Sequence, residues 1–176
     1  MRFDPRSLIL FGTNVLLLYL MQLLNSALAE WSLYLFLLGP MVILPTLYLR
    51  HSAAFLCTLL TGLWVDAALP APFGWFTLSF LVANAILFQM RLRFRPEHND
   101  HPVLLAHIAN FLFFVALSLG PARELASEPA YWLRIVTDLL LSHGALLIIA
   151  PWFFQLERLL FDILRVETEP ENLPFS

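Results

Sequence analysis

Residues 61–74 read T-G-L-W-V-D-A-A-L-P-A-P-F-G. An acid, Asp66, lies inside an apolar run, four residues after Gly62. Pro70-Ala71-Pro72 breaks that run, and Gly74 opens another. Proline cannot continue a helix interior, because its ring lacks an N–H and collides with the preceding turn. The stretch therefore reads as two apolar helices joined by a tight turn, with a carboxylate close to the join. A charged residue at the centre of a membrane helix costs roughly 2.5–3.5 kcal/mol on insertion scales, so this acid needs a partner.

The rest of the chain makes the bilayer the relevant solvent. Of 176 residues, 60% are hydrophobic and 13% charged, and mean hydropathy is +0.76. A soluble domain carries about 45–50% apolar and about 25% charged residues. A spanning helix needs about 20 mostly apolar residues, so the chain holds about six short spans and little else. The expected fold is all-α, a bundle of about six transmembrane helices forming a single domain over residues 1–166. A net charge of −3 gives no reason to expect a nucleic-acid partner. The single cysteine, Cys57, excludes an intrachain disulfide and a multi-cysteine metal site. No cofactor and no bound metal are expected.

The spans are expected at about 8–28, 31–49, 52–69, 73–90, 102–119 and 131–151. The first reads as a retained span rather than a cleaved signal, with Asn14 and Asn25 as polar interruptions. The second contains Gly39-Pro40 and Pro45, and a proline kink is expected there. Residues 152–166 read as a short amphipathic helix lying on the membrane surface. Residues 167–176 form an acidic tail expected to be disordered.

All ten basic residues are arginines. Six spans put Arg2, Arg6, Arg50, Arg91, Arg93, Arg95, Arg158 and Arg165 on one side, and Arg123 and Arg134 on the other. Cytoplasmic loops are enriched in Lys and Arg, so both termini are expected in the cytoplasm. Trp31, Trp75, Trp132 and Trp152 fall near span ends, where interfacial anchors sit.

Fourteen residues of rise place Asp66 roughly 21 Å along the third span, nearer the outer face. Gly62 shares its helix face and lets a neighbouring helix approach closely. Two donors lie at that level: Arg134, and the orphan N–H groups of the fourth helix's first turn. Asp66 is thus expected to lock the hairpin by capping that turn. The alternatives are snorkelling to the outer headgroups and a place on an ion or proton path.

Gly62-Leu63-x-x-Asp66, a short turn through Pro70 and Pro72, then Gly74 and a Leu/Phe-rich helix resemble the rod shape-determining protein MreD family. Chain length, span number and short loops match along nearly the whole chain; residue-level similarity is confined to about 61–82. The resemblance implies a non-enzymatic subunit of the bacterial cell-wall elongation machinery, in the inner membrane. It implies work beside an MreC-like bitopic scaffold, an MreB-like filament, a RodA-type glycosyltransferase and its transpeptidase, supporting rod shape and lateral peptidoglycan synthesis. The alternative is the substrate-binding component of an energy-coupling-factor vitamin transporter, similar in length and helix number.

Other polar residues read as packing. Asn84, Asn110 and His143 fall at similar depth and form a candidate interior cluster, either helix–helix glue or a small-ligand pocket. His107, His143 and Asp138 are expected at different depths, as separate helix–helix hydrogen bonds. Ser142-His143 makes no nucleophile motif, since helical neighbours point apart. Arg91, Arg93 and Arg95 form a cytoplasmic basic cluster, for anionic lipid or a docked partner.

Overall fold

The computed structural model describes residues 5–91, 100–121 and 128–164, and every regular element among them is helical. Helix α1 (Pro5–Leu28) ends in a 3₁₀ turn, Ala29–Trp31. Then come α2 (Pro40–Tyr48), α3 (His51–Ala68), α4 (Trp75–Met90), α5 (Asp100–Leu119) and α6 (Pro129–Ile163). Four of these, α1, α3, α5 and α6, are long and apolar enough to cross a membrane; α4 is apolar but shorter.

The second pass corrects the expected helix over 31–49. Residues 33–38 are not helical, and the helix begins only at Pro40. Pro40 suits the first position of a helix and not its interior, so the helix starts there, while Pro45 is carried inside it. In a through-running helix, residue 40 would donate to the Phe36 carbonyl and residue 45 to the Met41 carbonyl, and proline has no N–H to give. Neighbouring helices supply the missing donors: Asn110 Nδ2 reaches the Phe36 carbonyl at 2.9 Å, and Asn14 Nδ2 reaches that of Met41 at 2.9 Å. Residues 35–47 are all buried, and α2 packs against each of the other five helices. The irregular pass is therefore the axis of the bundle. Phe36 anchors it, with its ring centroid 6.2 Å from that of Phe76 and 5.6 Å from that of Phe114.

Gly39 is the point of closest approach. A Cβ there would stand 2.2 Å from the Ala106 carbonyl oxygen and 2.7 Å from Asn110 Cβ, so any side chain would push α5 away.

The C-terminal segment is a second correction. Helix α6 runs unbroken through Pro151 to Ile163. Residues 152–163 do not form a separate surface helix. Phe153, Phe154, Glu157 and Phe161 are buried, while Trp152, Leu159 and Ile163 are exposed. The inward stripe follows helical spacing from Ala150 onward, so the phase of the transmembrane part carries straight through. The tail 167–176 lies outside the described residues.

Candidate functional site

The α3–α4 hairpin is built from its turn. Pro70 stops α3, whose last bond runs from the Leu69 N–H to the Val65 carbonyl at 2.9 Å. Gly74 then takes φ 94°, a left-handed conformation that side chains resist, and leads into α4. Gly74 occupies the position before the first helical residue, where a Ser or Asp would normally cap the exposed N–H groups. Having no side chain, it caps nothing.

Asp66 supplies the cap from the neighbouring helix. Its Oδ1 accepts the Phe76 N–H at 2.8 Å and its Oδ2 accepts the Thr77 N–H at 3.0 Å. The Thr77 hydroxyl also donates to Oδ2. A carboxylate at a helix N-terminus receives both orphan donors and the favourable end of the macrodipole. Asp66 is buried, at 5% exposure, so little water competes for these bonds. Gly62, one turn earlier on α3, makes the approach possible: a Cβ on it would lie 2.6 Å from Thr77 Cα. Arg134, the other donor considered for Asp66, is held elsewhere, with its Nε 3.5 Å from Asp138 Oδ2.

A second constellation surrounds the irregular pass. Asp138 Oδ1 accepts the Tyr34 N–H at 2.9 Å, and the Ser142 hydroxyl oxygen accepts the Phe36 N–H at 2.9 Å. Asn25 takes both groups of Leu35: its Oδ1 accepts the N–H at 2.7 Å, and its Nδ2 donates to the carbonyl at 2.9 Å. Asn110 Oδ1 accepts the Gly39 N–H at 3.0 Å while its Nδ2 serves Phe36. Non-helical backbone at membrane depth is tolerated only when buried in protein or lining water, and here side chains of α1, α5 and α6 satisfy it. Asn25 and Ser142 had no assigned role from sequence. Their signal was a polar residue inside an apolar span; their target was invisible, because the second pass read as a helix.

Asn84, Asn110 and His143 each bond a different neighbour in another segment, as helix–helix glue would, and no hydrogen bond among the described residues joins them to one another. Asn84 pairs with the Thr46 hydroxyl at 2.8 Å, Asn110 clamps the irregular pass, and His143 lies against His107. Equal depth says nothing about azimuth, and the three residues face different neighbours. The separation expected between His107 and His143 is also corrected. Their Nδ1 atoms are 2.9 Å apart and their rings stack with centroids at 5.2 Å. His107 lies five residues into the fifth span and His143 eight from the end of the sixth. Those depths differ by about 4.5 Å of helix rise, which two imidazoles bridge. One ring donates and the other accepts, so the two hold opposite tautomers when neutral. Asp138 faces Tyr34 and is not part of this pair.

Arg91 turns inward. Its Nη1 donates to the Leu49 carbonyl at 3.1 Å, just past the end of α2, and its guanidinium lies 4.4 Å over the Phe88 ring. Arg93 and Arg95 lie outside the described residues. No family model, no curated protein and no solved structure matches the chain.

Proposed function

We propose that this chain is a membrane scaffold of the MreD type, without catalytic chemistry of its own. On this reading it resides in the bacterial inner membrane with both chain ends in the cytoplasm, as the arginine asymmetry favours. It supports lateral peptidoglycan synthesis and rod shape by holding a bitopic MreC-like partner beside filament, glycosyltransferase and transpeptidase.

The observation that carries the reading is the capped hairpin. The residues of the MreD-like stretch, Gly62, Asp66 and Gly74, act together on one geometric task, the close and fixed junction of α3 with α4. The hairpin so fixed presents Phe73 and Trp64, both exposed, beside its Pro-containing tip. A large aromatic on a fixed element is what an interface anchor requires.

The broken second pass favours a second reading. Discontinuous membrane helices form substrate sites in many transporters, which fits the substrate-binding component of an energy-coupling-factor transporter. The backbone groups of this pass are, however, already bonded to Asn25, Asn110, Asp138 and Ser142.

Affinity purification of the full-length protein from its own cells distinguishes the two. Co-purification of a bitopic coiled-coil protein, lost in Asp66→Ala, together with loss of rod shape in that strain, is the expected result. A vitamin-like small molecule retained through native mass spectrometry, with rod shape intact in Asp66→Ala, would replace the scaffold by the transporter component.

A further inference from the structure

Helix α6 carries a carboxyl that neither the hairpin nor the clamp uses. Glu157 is fully buried, at 0% exposure, where α6 meets α1. Its partner Thr13 lies eight residues into α1, about 12 Å from the helix start, so the contact sits inside the bundle. Thr13 Oγ1 is 2.7 Å from Glu157 Oε1 and 3.0 Å from the Leu10 carbonyl oxygen. Glu157 Oε2 has no hydrogen-bond partner among the described residues. Among the described residues, the side chain that acts on Glu157 is Thr13, and no basic group does so. Its titratable neighbour is the Cys57 thiol of α3, which points at the Ser7 carbonyl.

The hydrogens decide the state of this group. A hydroxyl has one hydrogen to donate. If Glu157 were a carboxylate, the Thr13 hydrogen would face two acceptors, and Oε2 would be an anionic oxygen with neither donor nor cation among the described residues. A buried charge without a partner is too costly to keep, and a carboxyl escapes the cost by holding a proton. Thr46 meets a similar pair of acceptors, the Val42 carbonyl at 2.7 Å and Asn84 at 2.8 Å. There an amide can turn its NH₂ toward the hydroxyl. A carboxyl can act as donor only by carrying a hydrogen of its own.

We propose that Glu157 is a proton-binding site: a resident proton stays on Oε1 and hydrogen-bonds to Thr13 Oγ1, the Thr13 hydroxyl hydrogen-bonds to the Leu10 carbonyl, and α1 docks on α6 around the neutral acid. The ligand of the site is a proton, and the site works as a latch. Releasing the proton leaves an uncompensated anion in the seam, so deprotonation and separation of α1 from α6 favour each other. Asp66 and Asp138 are built differently. Asp66 accepts two N–H groups and a hydroxyl, and Asp138 accepts an N–H and faces a guanidinium. Neither needs a hydrogen to complete its bonding.

Infrared spectroscopy of the purified full-length protein in detergent micelles at neutral pH tests this. A protonated carboxyl shows a C=O band above amide I that a carboxylate lacks. Of the described glutamates, Glu30 and Glu128 are exposed and only Glu157 is buried. Carboxyl-¹³C labelling of glutamate alone therefore separates its band from any aspartic acid without a substitution. The expected result is one label-sensitive band that disappears in Glu157→Gln, whose amide can still donate to Thr13. A spectrum with no label-sensitive carboxylic-acid band overturns the proposal, as does such a band that persists in Glu157→Gln.

Discussion

Replacing Asp66 by asparagine exchanges one carboxylate oxygen for an NH₂ group and tests the hairpin lock directly. The asparagine oxygen can stand at the Oδ2 position and keep both Thr77 donors. Its NH₂ must then occupy the Oδ1 position, 2.8 Å from the Phe76 nitrogen, donor against donor. A buried donor left without an acceptor costs about 1–3 kcal/mol. Removing the anion from the helix N-terminus costs about 0.3–1 kcal/mol more, and up to about 2 when partly buried. The sum is about 1–5 kcal/mol, a shift of roughly 10-fold to several-thousand-fold in the unfolding equilibrium. Reversible unfolding in mixed micelles, followed by circular dichroism, measures it. The companion variant Thr77→Val removes the hydroxyl donor alone. Because both act on one carboxyl, the two substitutions must couple rather than add. An Asp66→Asn protein within about 0.5 kcal/mol of the parent, or strict additivity with Thr77→Val, would show that the carboxylate does not hold α4.

Gly62→Val places side-chain carbon where Thr77 Cα already lies, and should cost about 1–3 kcal/mol by forcing α3 from α4; the same unfolding assay reads it, and an unchanged midpoint would mean the helices have room to spare. Asn110→Leu strips a donor from the Phe36 carbonyl and an acceptor from the Gly39 N–H. Two orphaned backbone groups predict a loss of about 2–6 kcal/mol, well above the roughly 0.6 kcal/mol average for a single interhelical bond in a membrane. Amide exchange at residues 34–39 should rise in that variant, and protection equal to the parent's would contradict the clamp. The histidine pair should behave in the opposite way. Both Nε2 atoms are buried without partners among the described residues, so the double change His107→Phe with His143→Phe is expected to stay within about 1 kcal/mol of the parent, or to gain stability. Either single change should be worse than the double, and a double variant less stable than both singles would refute this.

Much of the hairpin was legible because its parts are local. Pro70, Pro72 and Gly74 set a turn within a few residues, and the acid sits one helical turn beyond Gly62 on the same face. Capping of a nearby helix start then follows from which groups remain unbonded. Thr77 was the missing partner, although a hydroxyl three residues past Gly74 was there to be read. The second pass was misread for the opposite reason. Its apolar composition fits a helix, and Gly39-Pro40 and Pro45 signal only a kink. Whether such a segment kinks or straightens into irregular backbone depends on donors and acceptors that distant helices bring to it. The C-terminal segment failed in the same way. Residues 152–166 read as a surface helix, and only the continuation of α6 past Pro151 turns Glu157 against Thr13.

The sequence by itself determined an apolar all-helical chain, the approximate position of five of the six helices among the described residues, and the α3–α4 turn with its acid. These depend on composition, on proline and glycine geometry, and on spacings within one helical turn. Only the tertiary structure decided that the second pass abandons the helix, that Asn25, Asn110, Asp138 and Ser142 bond its backbone, and that Glu157 is enclosed. Each of these joins groups far apart in the chain. Their free energy comes from satisfying polar atoms where water is absent, and a linear pattern does not say which partner will arrive.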